Sequence, residues 1–226
     1  MTGGVALRVS ILLLPLTTGC ALLRHEPPKP PAPKPIVEVI ADKVPVSWRE
    51  VATPADQERL THASEAWTKG LVAAARFQRA VKAEGELLQP NVALARAAPS
   101  PGPYRCRVVK LGGRSGLAAF KPFDCFVDAE GELLTMVKAT GSLLPAGRLW
   151  ADNDTRMVFL GALAAPGARP LAYGADEKRD IAGYLERIGP FRWRLAIPYP
   201  QSGGVLDVYE LAPLIPVSLD QAHPKA

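Results

Sequence analysis

Ile181-Ala182-Gly183-Tyr184-Leu185-Glu186-Arg187-Ile188-Gly189-Pro190-Phe191-Arg192-Trp193-Arg194-Leu195-Ala196-Ile197 is the stretch that decides the fold. Two β-rich runs, 181–188 and 191–197, flank a Gly189-Pro190 turn. In Trp193-Arg194-Leu195-Ala196-Ile197 the odd positions are apolar and Arg194 faces away, which is the period of a strand. Outward from this pair the same texture holds from Pro99 onward. Short β-rich runs fall at 104–111, 123–127, 133–138, 155–163 and 206–211, with shorter candidates at 117–120, 148–150 and 171–173. Turn signals separate them, among them Asp128-Ala129-Glu130-Gly131, Asp152-Asn153-Asp154 and Gln201-Ser202-Gly203-Gly204. Many short strands with tight connections and no helical spacers imply a mainly β domain over residues 99–213, an antiparallel meander. A small closed or nearly closed barrel is the expected form because it removes exposed edges, with a two-sheet sandwich as the alternative. The tail, 214–226, reads as irregular.

Upstream, residues 47–98 read as a helical segment, making the chain α+β. Thr53 and Pro54 supply an N-cap and a first-turn proline, and Asp56 sits where the helix dipole favours it. Leu60, Ala63, Trp67, Leu71, Ala74, Phe77 and Val81 recur at three- and four-residue steps, a docking stripe. Gly70 weakens its middle and Gly85 ends it. Trp48 stands just upstream, where it can staple the start of the segment.

The first residues speak of location. Arg8 leads into the apolar run Val9-Ser10-Ile11-Leu12-Leu13-Leu14-Pro15-Leu16, then Thr17-Thr18-Gly19-Cys20. The run is far short of the ~20 residues of a membrane span and sits where a secretory h-region sits. Residues 1–19 resemble a bacterial lipoprotein signal peptide, cut before a lipid-bearing cysteine, here Cys20; an ordinary secretory signal is the alternative. The resemblance implies export, and Ala21 after the cysteine implies the periplasmic face of the outer membrane. Several acyl chains at ~0.8 kcal/mol per buried methylene hold such a protein firmly. Residues 20–46 then form a linker. Pro27-Pro28-Lys29-Pro30-Pro31-Ala32-Pro33-Lys34-Pro35 holds six prolines in nine residues, which favours a semi-rigid polyproline II stalk of ~3.1 Å per residue.

Of the 226 residues 48% are apolar, enough for a sizeable core and against disorder outside the ends. The 27 Lys and Arg exceed the 22 Asp and Glu, but the signs are interspersed and no block of five like charges occurs, so nucleic acid is not an expected partner. With Cys20 assigned to lipid, Cys106 and Cys125 remain as an even pair in an oxidising compartment. They are expected to form a disulfide, two separate buried thiols being the alternative.

No catalytic constellation stands out. The three histidines, His25, His62 and His223, all fall outside the β-rich region, which leaves no His-based triad or metal site there and no expected cofactor. Asp152-Asn153-Asp154-Thr155 lacks the glycine and downstream Glu of a calcium loop and reads as a hairpin turn. The charged segment 173–180, with Asp180, Glu186 and Arg187, reads either as a polar site or as a solvated rim. Arg192-Trp193-Arg194 with Tyr173, Tyr184, Tyr199 and Tyr209 are candidates for a ligand pocket at the barrel mouth. The competing reading is that Trp193 plugs a solid barrel with an Arg stacked on it. Trp193, Arg194, Tyr184, Arg187, Asp180 and Tyr173 are therefore the candidate ligand-binding set. Small inward residues Gly161, Gly183 and Ala196 would leave a cavity; Trp193, Phe159 and Leu195 stacked across it would fill it.

Several stretches also carry a family resemblance: Trp48-Arg49-Glu50-Val51-Ala52-Thr53-Pro54-Ala55-Asp56, Tyr104-Arg105-Cys106-Arg107-Val108-Val109-Lys110-Leu111-Gly112, Met157-Val158-Phe159-Leu160-Gly161, Arg179 through Gly189, and Leu206-Asp207-Val208-Tyr209-Glu210-Leu211. Together they resemble the domain of unknown function 4893 family over roughly residues 47–213. The resemblance implies an exported protein of Gram-negative bacteria and supplies no activity or site residue. The expected function is thus a non-catalytic cell-envelope lipoprotein that binds a small apolar or amphipathic ligand at a barrel mouth. An envelope interaction protein with a solid barrel and a protein partner is the second reading, and a hydrolase the least favoured.

Overall fold

The computed structural model describes residues 47–140, 144–164 and 171–214; the leader, Cys20, the proline-rich linker and residues 215–226 lie outside the described residues. Nine strands follow the helical segment: β1 Gly102–Leu111, β2 Leu117–Ala119, β3 Phe123–Glu130, β4 Leu133–Lys138, β5 Leu144–Asn153, β6 Arg156–Ala164, β7 Asp180–Gly189, β8 Arg192–Pro198 and β9 Leu206–Pro213. From β3 to β9 each strand pairs antiparallel with the next in sequence. β9 then returns to β1, from Tyr104 opposite Pro213 to Leu111 opposite Leu206. Eight strands close into a barrel, so the expected closed form holds and the sandwich does not. Closure pairs the N–H and C=O rows that an open meander would leave exposed.

The turn chemistry read from the sequence is the chemistry that joins the strands. Gly131 takes positive φ between β3 and β4. The Asn153 side chain accepts the Thr155 backbone N–H at 3.0 Å in the β5–β6 turn, so the aspartate-rich segment forms a hairpin. Pro190 and Phe191 turn β7 into β8.

β2 continues the β3 edge. It pairs with the far half of β1, and the Phe120 N–H still reaches Val108 O at 3.0 Å. Lys121 and Pro122 then interrupt the ladder before Phe123 resumes it opposite Cys106. Proline has no N–H to donate, so a strand breaks or bulges there.

Two short runs take forms other than the isolated short strands their sequence suggested. The 148–150 run is the centre of a ten-residue strand, β5. Pro145 is tolerated because it lies just beyond the last β4 pair, Val137–Ala146, where its missing N–H costs no ladder bond. Leu171–Ala172–Tyr173 is not a strand but leads into a turn whose Tyr173 hydroxyl anchors the helical segment.

That segment is an arm of short helices, α1 Trp48–Val51, α2 Pro54–Thr61, α3 Ala63–Ala73 and α4 Gln78–Ala83, ending in a 3₁₀ turn, Gly85–Leu88. None is long and apolar enough to cross a membrane. Thr53 caps α2 through its side chain, as its sequence implied. The arm lies on the outer face of the barrel and buries Ala66, Ala74, Leu87 and Leu88 against Val109, Ala196, Leu206 and Val208. Trp48, Ala52 and Leu60 cover Trp150, Val158, Leu160 and Ala182. Strands β6 to β9 are consequently buried on both faces, and their runs are nearly continuous in apolar residues. Gly70 has a packing reason: a Cβ there would stand 3.1 Å from Leu111 Cβ, so glycine lets α3 settle on β1.

The second core fills the barrel. Tyr104, Cys106, Val127, Met136, Leu149, Phe159, Leu185, Trp193, Leu195 and Leu211 point inward from the eight strands of the barrel. Cys106 and Cys125 are bridged across the β1–β3 pair, with Cα atoms 6.0 Å apart. Replacing both by serine should cost about 3 kcal/mol, the chain-entropy value for a loop of this size. Thermal melts should then show Tm lower by roughly 6–12 °C; an unchanged Tm in oxidised protein would show that the bridge does not constrain the unfolded chain.

Candidate functional site

The two ends of the barrel differ. At one end Trp193 Nε1 donates to Ala97 O at 2.9 Å and the Tyr104 hydroxyl donates to Ser100 O at 2.6 Å. Their rings meet edge to face at 6.1 Å. Above this plug lies Phe159. Its ring occupies the space that side chains at Gly147 and Gly161 would need, within 2.8 Å and 2.7 Å of the Cβ positions there.

The other end is open. Alternation along β1 turns Val108 and Lys110 inward, and β9 sets Tyr209 and Asp207 opposite them. Ile197 stands beside Asp207 on β8, and Phe123, Lys138, Leu163 and Ile181 come from β3, β4, β6 and β7. Phe120, Lys121 and Pro122 form one lip, and Pro200 and Ser202 the other. The result is a cavity of about 640 Å³, inside the roughly 300–1,000 Å³ range of small-molecule sites.

Its polar groups are few, and three of them, Lys138, Asp207 and Tyr209, are buried. Asp207 is only 2% exposed, an unusual place for a carboxylate. Lys110 Nζ pairs with Asp207 Oδ2 and also donates to Ser202 Oγ at 2.9 Å. Ser202 Oγ donates to the same carboxylate at 3.4 Å. Burial pushes the Asp207 carboxyl above the ordinary aspartate value, against the pull of Lys110 and Ser202. Asp207 Oδ1 is buried and has no hydrogen-bond partner among the described residues. Lys138 stands with Nζ 4.4 Å over the Phe123 ring, and burial, with the charge of Lys110, lowers its pKa. The Tyr209 hydroxyl is raised by burial and by Asp207. The arrangement suits an apolar body with one polar or charged end.

The six candidate residues from the sequence are not here. Trp193 is the plug at the opposite end. Arg187 is near that end too, donating Nε to Ala95 O at 2.8 Å. Arg194 faces outward, as its parity required, but under the arm rather than into water. Tyr184 also faces outward, its hydroxyl donating to Leu60 O at 3.3 Å and its ring under Arg156 at 4.1 Å. The Tyr173 hydroxyl donates to Asp56 at 2.6 Å and accepts the Thr53 N–H at 2.9 Å; burial and Asp56 push its pKa up to about 12. Asp180 is buried beneath α2 and accepts the Gly174 N–H at 3.0 Å; burial raises its pKa. Ala196 faces the arm, not the interior. These side chains bind the arm and close one end, because the outer surface of this barrel is itself a packed interface. Of the wider aromatic set, Tyr209 alone lines the mouth.

Lys110, Lys138, Asp207, Phe123 and Ser202 were not anticipated. A signal existed for three of them. Lys110 extends the inward series Tyr104, Cys106, Val108; Lys138 follows Leu134 and Met136; Asp207 precedes Tyr209 and Leu211. A charge at the end of an apolar strand face marks a buried charge or a mouth.

The sequence profile of the family described as Domain of unknown function (DUF4893) matches residues 48–211, from the first helix of the arm to the last strand. No curated protein matches the chain.

Proposed function

We propose for this chain, which belongs to the family described as Domain of unknown function (DUF4893), that its barrel mouth holds a small apolar or amphipathic ligand without transforming it. The cavity carries this reading: about 640 Å³, apolar walls, and a few convergent polar groups at one open end of an otherwise filled barrel. The histidine-free β-rich sequence supports binding over hydrolysis. The lipobox-like leader supports attachment through an acylated Cys20 to the periplasmic face of the outer membrane, with the proline-rich strip as a spacer.

Native mass spectrometry of the full chain, purified gently from the envelope, tests the binding half. A reproducible extra mass lost on denaturation is the expected result, and a bare protein mass overturns it. For the anchor, Cys20→Ala should move the protein out of the membrane fraction; protein that still partitions with membranes would sink it.

A further inference from the structure

We infer that the outward face of the arm, where α3 gives way to α4, docks on a membrane surface rich in anionic phospholipid. Arg76, Arg79 and Lys82 meet the headgroup phosphates, and Val72 with the apolar groove beside it meets the boundary of the acyl region. None of these residues lines the barrel mouth, so the inference does not depend on the cavity being a binding site.

The first argument is unbalanced charge. Residues 66–83 hold four basic side chains and no Asp or Glu. Lys69 pairs with Glu65 one turn back. Arg76, Arg79 and Lys82 are exposed, and none has an acidic partner among the described residues. The next acids along the chain, Glu84 and Glu86, are taken by Arg107 and Arg192. Arg76 Nη2 donates instead to Ser115 O at 2.8 Å, which sets the β1–β2 turn, with its exposed Arg114, beside the same face. The second argument is apolar exposure within that charge. Val72 is 70% exposed, more than any other large apolar residue described. It borders a groove of about 420 Å³ with Leu71, Ala75, Gln78, Val81 and Lys82. A helical surface with an apolar centre and a cationic border is the form that lies in a lipid interface.

The third argument separates a bilayer from a protein partner. Among the described residues no Trp or Tyr lines the groove, and Phe77 is half-buried with Arg76 4.8 Å over its ring. A tight protein interface is built on large buried anchors. A bilayer needs none. Each cation near an anionic leaflet contributes separately, roughly fivefold in partitioning, and small apolar side chains enter its boundary without a matching pocket. The proposed tether through Cys20 would keep this face within reach of a bilayer, but the docking does not require it.

The test uses the full chain carrying Cys20→Ala, which removes the acylation site, and sedimentation with vesicles of phosphatidylcholine alone or with about one-third phosphatidylglycerol. The readout is the ratio of the two partition coefficients. The parent should favour the anionic vesicles at least about tenfold, and raising the salt to physiological ionic strength should shrink that preference. Arg79→Gln should lower the ratio by about threefold to fivefold. Lys178→Gln, an equal loss of charge in the exposed turn before β7, should leave it unchanged. The triple variant Arg76→Gln, Arg79→Gln, Lys82→Gln should remove most of the preference, and Gln78→Lys should raise it. Misfolding would raise binding to both vesicles, so it cannot imitate that gain in the ratio. A preference that survives in the triple variant belongs to another part of the chain and overturns the assignment. An equal loss from Arg79→Gln and Lys178→Gln makes it an effect of net charge and overturns it as well. Equal partitioning of the parent onto both vesicles overturns the lipid surface; cross-linking of the parent, but not the triple variant, to an envelope protein would then give the face to a protein partner.

Discussion

Alanine in place of Arg194 should destabilise the protein by about 3–5 kcal/mol, the scale of breaking a buried charge pair by removing one partner. Arg194 is 1% exposed and sits on the outward face of β8. Its Nε donates to Glu186 on β7 at 2.8 Å. Its Nη1 reaches three carbonyls at the end of the arm, those of Glu86 at 3.2 Å, Leu87 at 3.3 Å and Gln89 at 2.5 Å. The guanidinium plane lies 4.6 Å over the Trp67 ring of α3. One side chain thus satisfies the carbonyls that a helical segment leaves open at its C-terminal end while holding the arm to the barrel. Truncation removes the arginine partner of Glu186 and of the Leu87 and Gln89 carbonyls, leaves Glu86 O only the Gln89 N–H, and opens a hole beneath Trp67. Lysine would restore the charge but not the planar fork, so Arg194→Lys should recover only part of the loss. Urea denaturation measures both. Arg148→Ala is the control: its pair with Glu130 is about half exposed on each side, and the loss there should stay below about 1 kcal/mol. A comparable effect at the two arginines would show that the buried arrangement has no special weight.

Phe159→Ala should cost a similar amount, about 3–5 kcal/mol, and should also change the cavity. The ring is wholly buried and leans across Gly147 and Gly161, which face each other on β5 and β6. Those glycines have no side chain to fall into the space, and their backbones are tied into the ladder, so collapse around the deleted ring is limited. A Cβ at Gly161 would stand 2.4 Å from Ala146 O as well as 2.7 Å from the ring, so this wall cannot simply be refilled. The void would lie one level below Ile181, which lines the mouth cavity, and is expected to extend that cavity downward. The variant should therefore accept longer alkyl tails than the parent while unfolding at lower urea. A loss under 1 kcal/mol would mean that the barrel relaxes around the void and that Phe159 is not its floor.

The helical arm illustrates how far a local pattern reaches. Thr53, Pro54 and the Leu60–Trp67–Leu71–Ala74 stripe announce helix and a docking face, and the face does dock. The arm breaks at His62 and again after Ala73 as it follows the barrel surface, a curvature no periodicity encodes. Arg194 is a similar case. Its outward parity was plain, but outward means solvent only where nothing covers the sheet. The arm comes from a distant part of the chain, so parity could not distinguish a wet face from a buried interface.

The mouth shows the same division. Period-two alternation, a property of adjacent residues, placed Lys110, Lys138 and Asp207 on the inner faces of their own strands. Gly131, Asn153 and Pro190 set the hairpins because glycine admits positive φ, the Asn153 side chain bonds the turn's own backbone and proline fixes φ, and the two cysteines of the β-rich region pointed to their bridge. These features, and with them the antiparallel meander, are local and belong to the sequence by itself. Tertiary structure alone decided that β9 closes on β1, that Trp193 and Tyr104 seal one end, that Phe159 fills the middle, and that Lys110, Lys138 and Asp207 share the cavity at the other. The reason is physical. Which face a side chain takes depends on its neighbours in the chain, but which residues share a level inside a barrel depends on the stagger of strands at closure, and only the folded whole sets that.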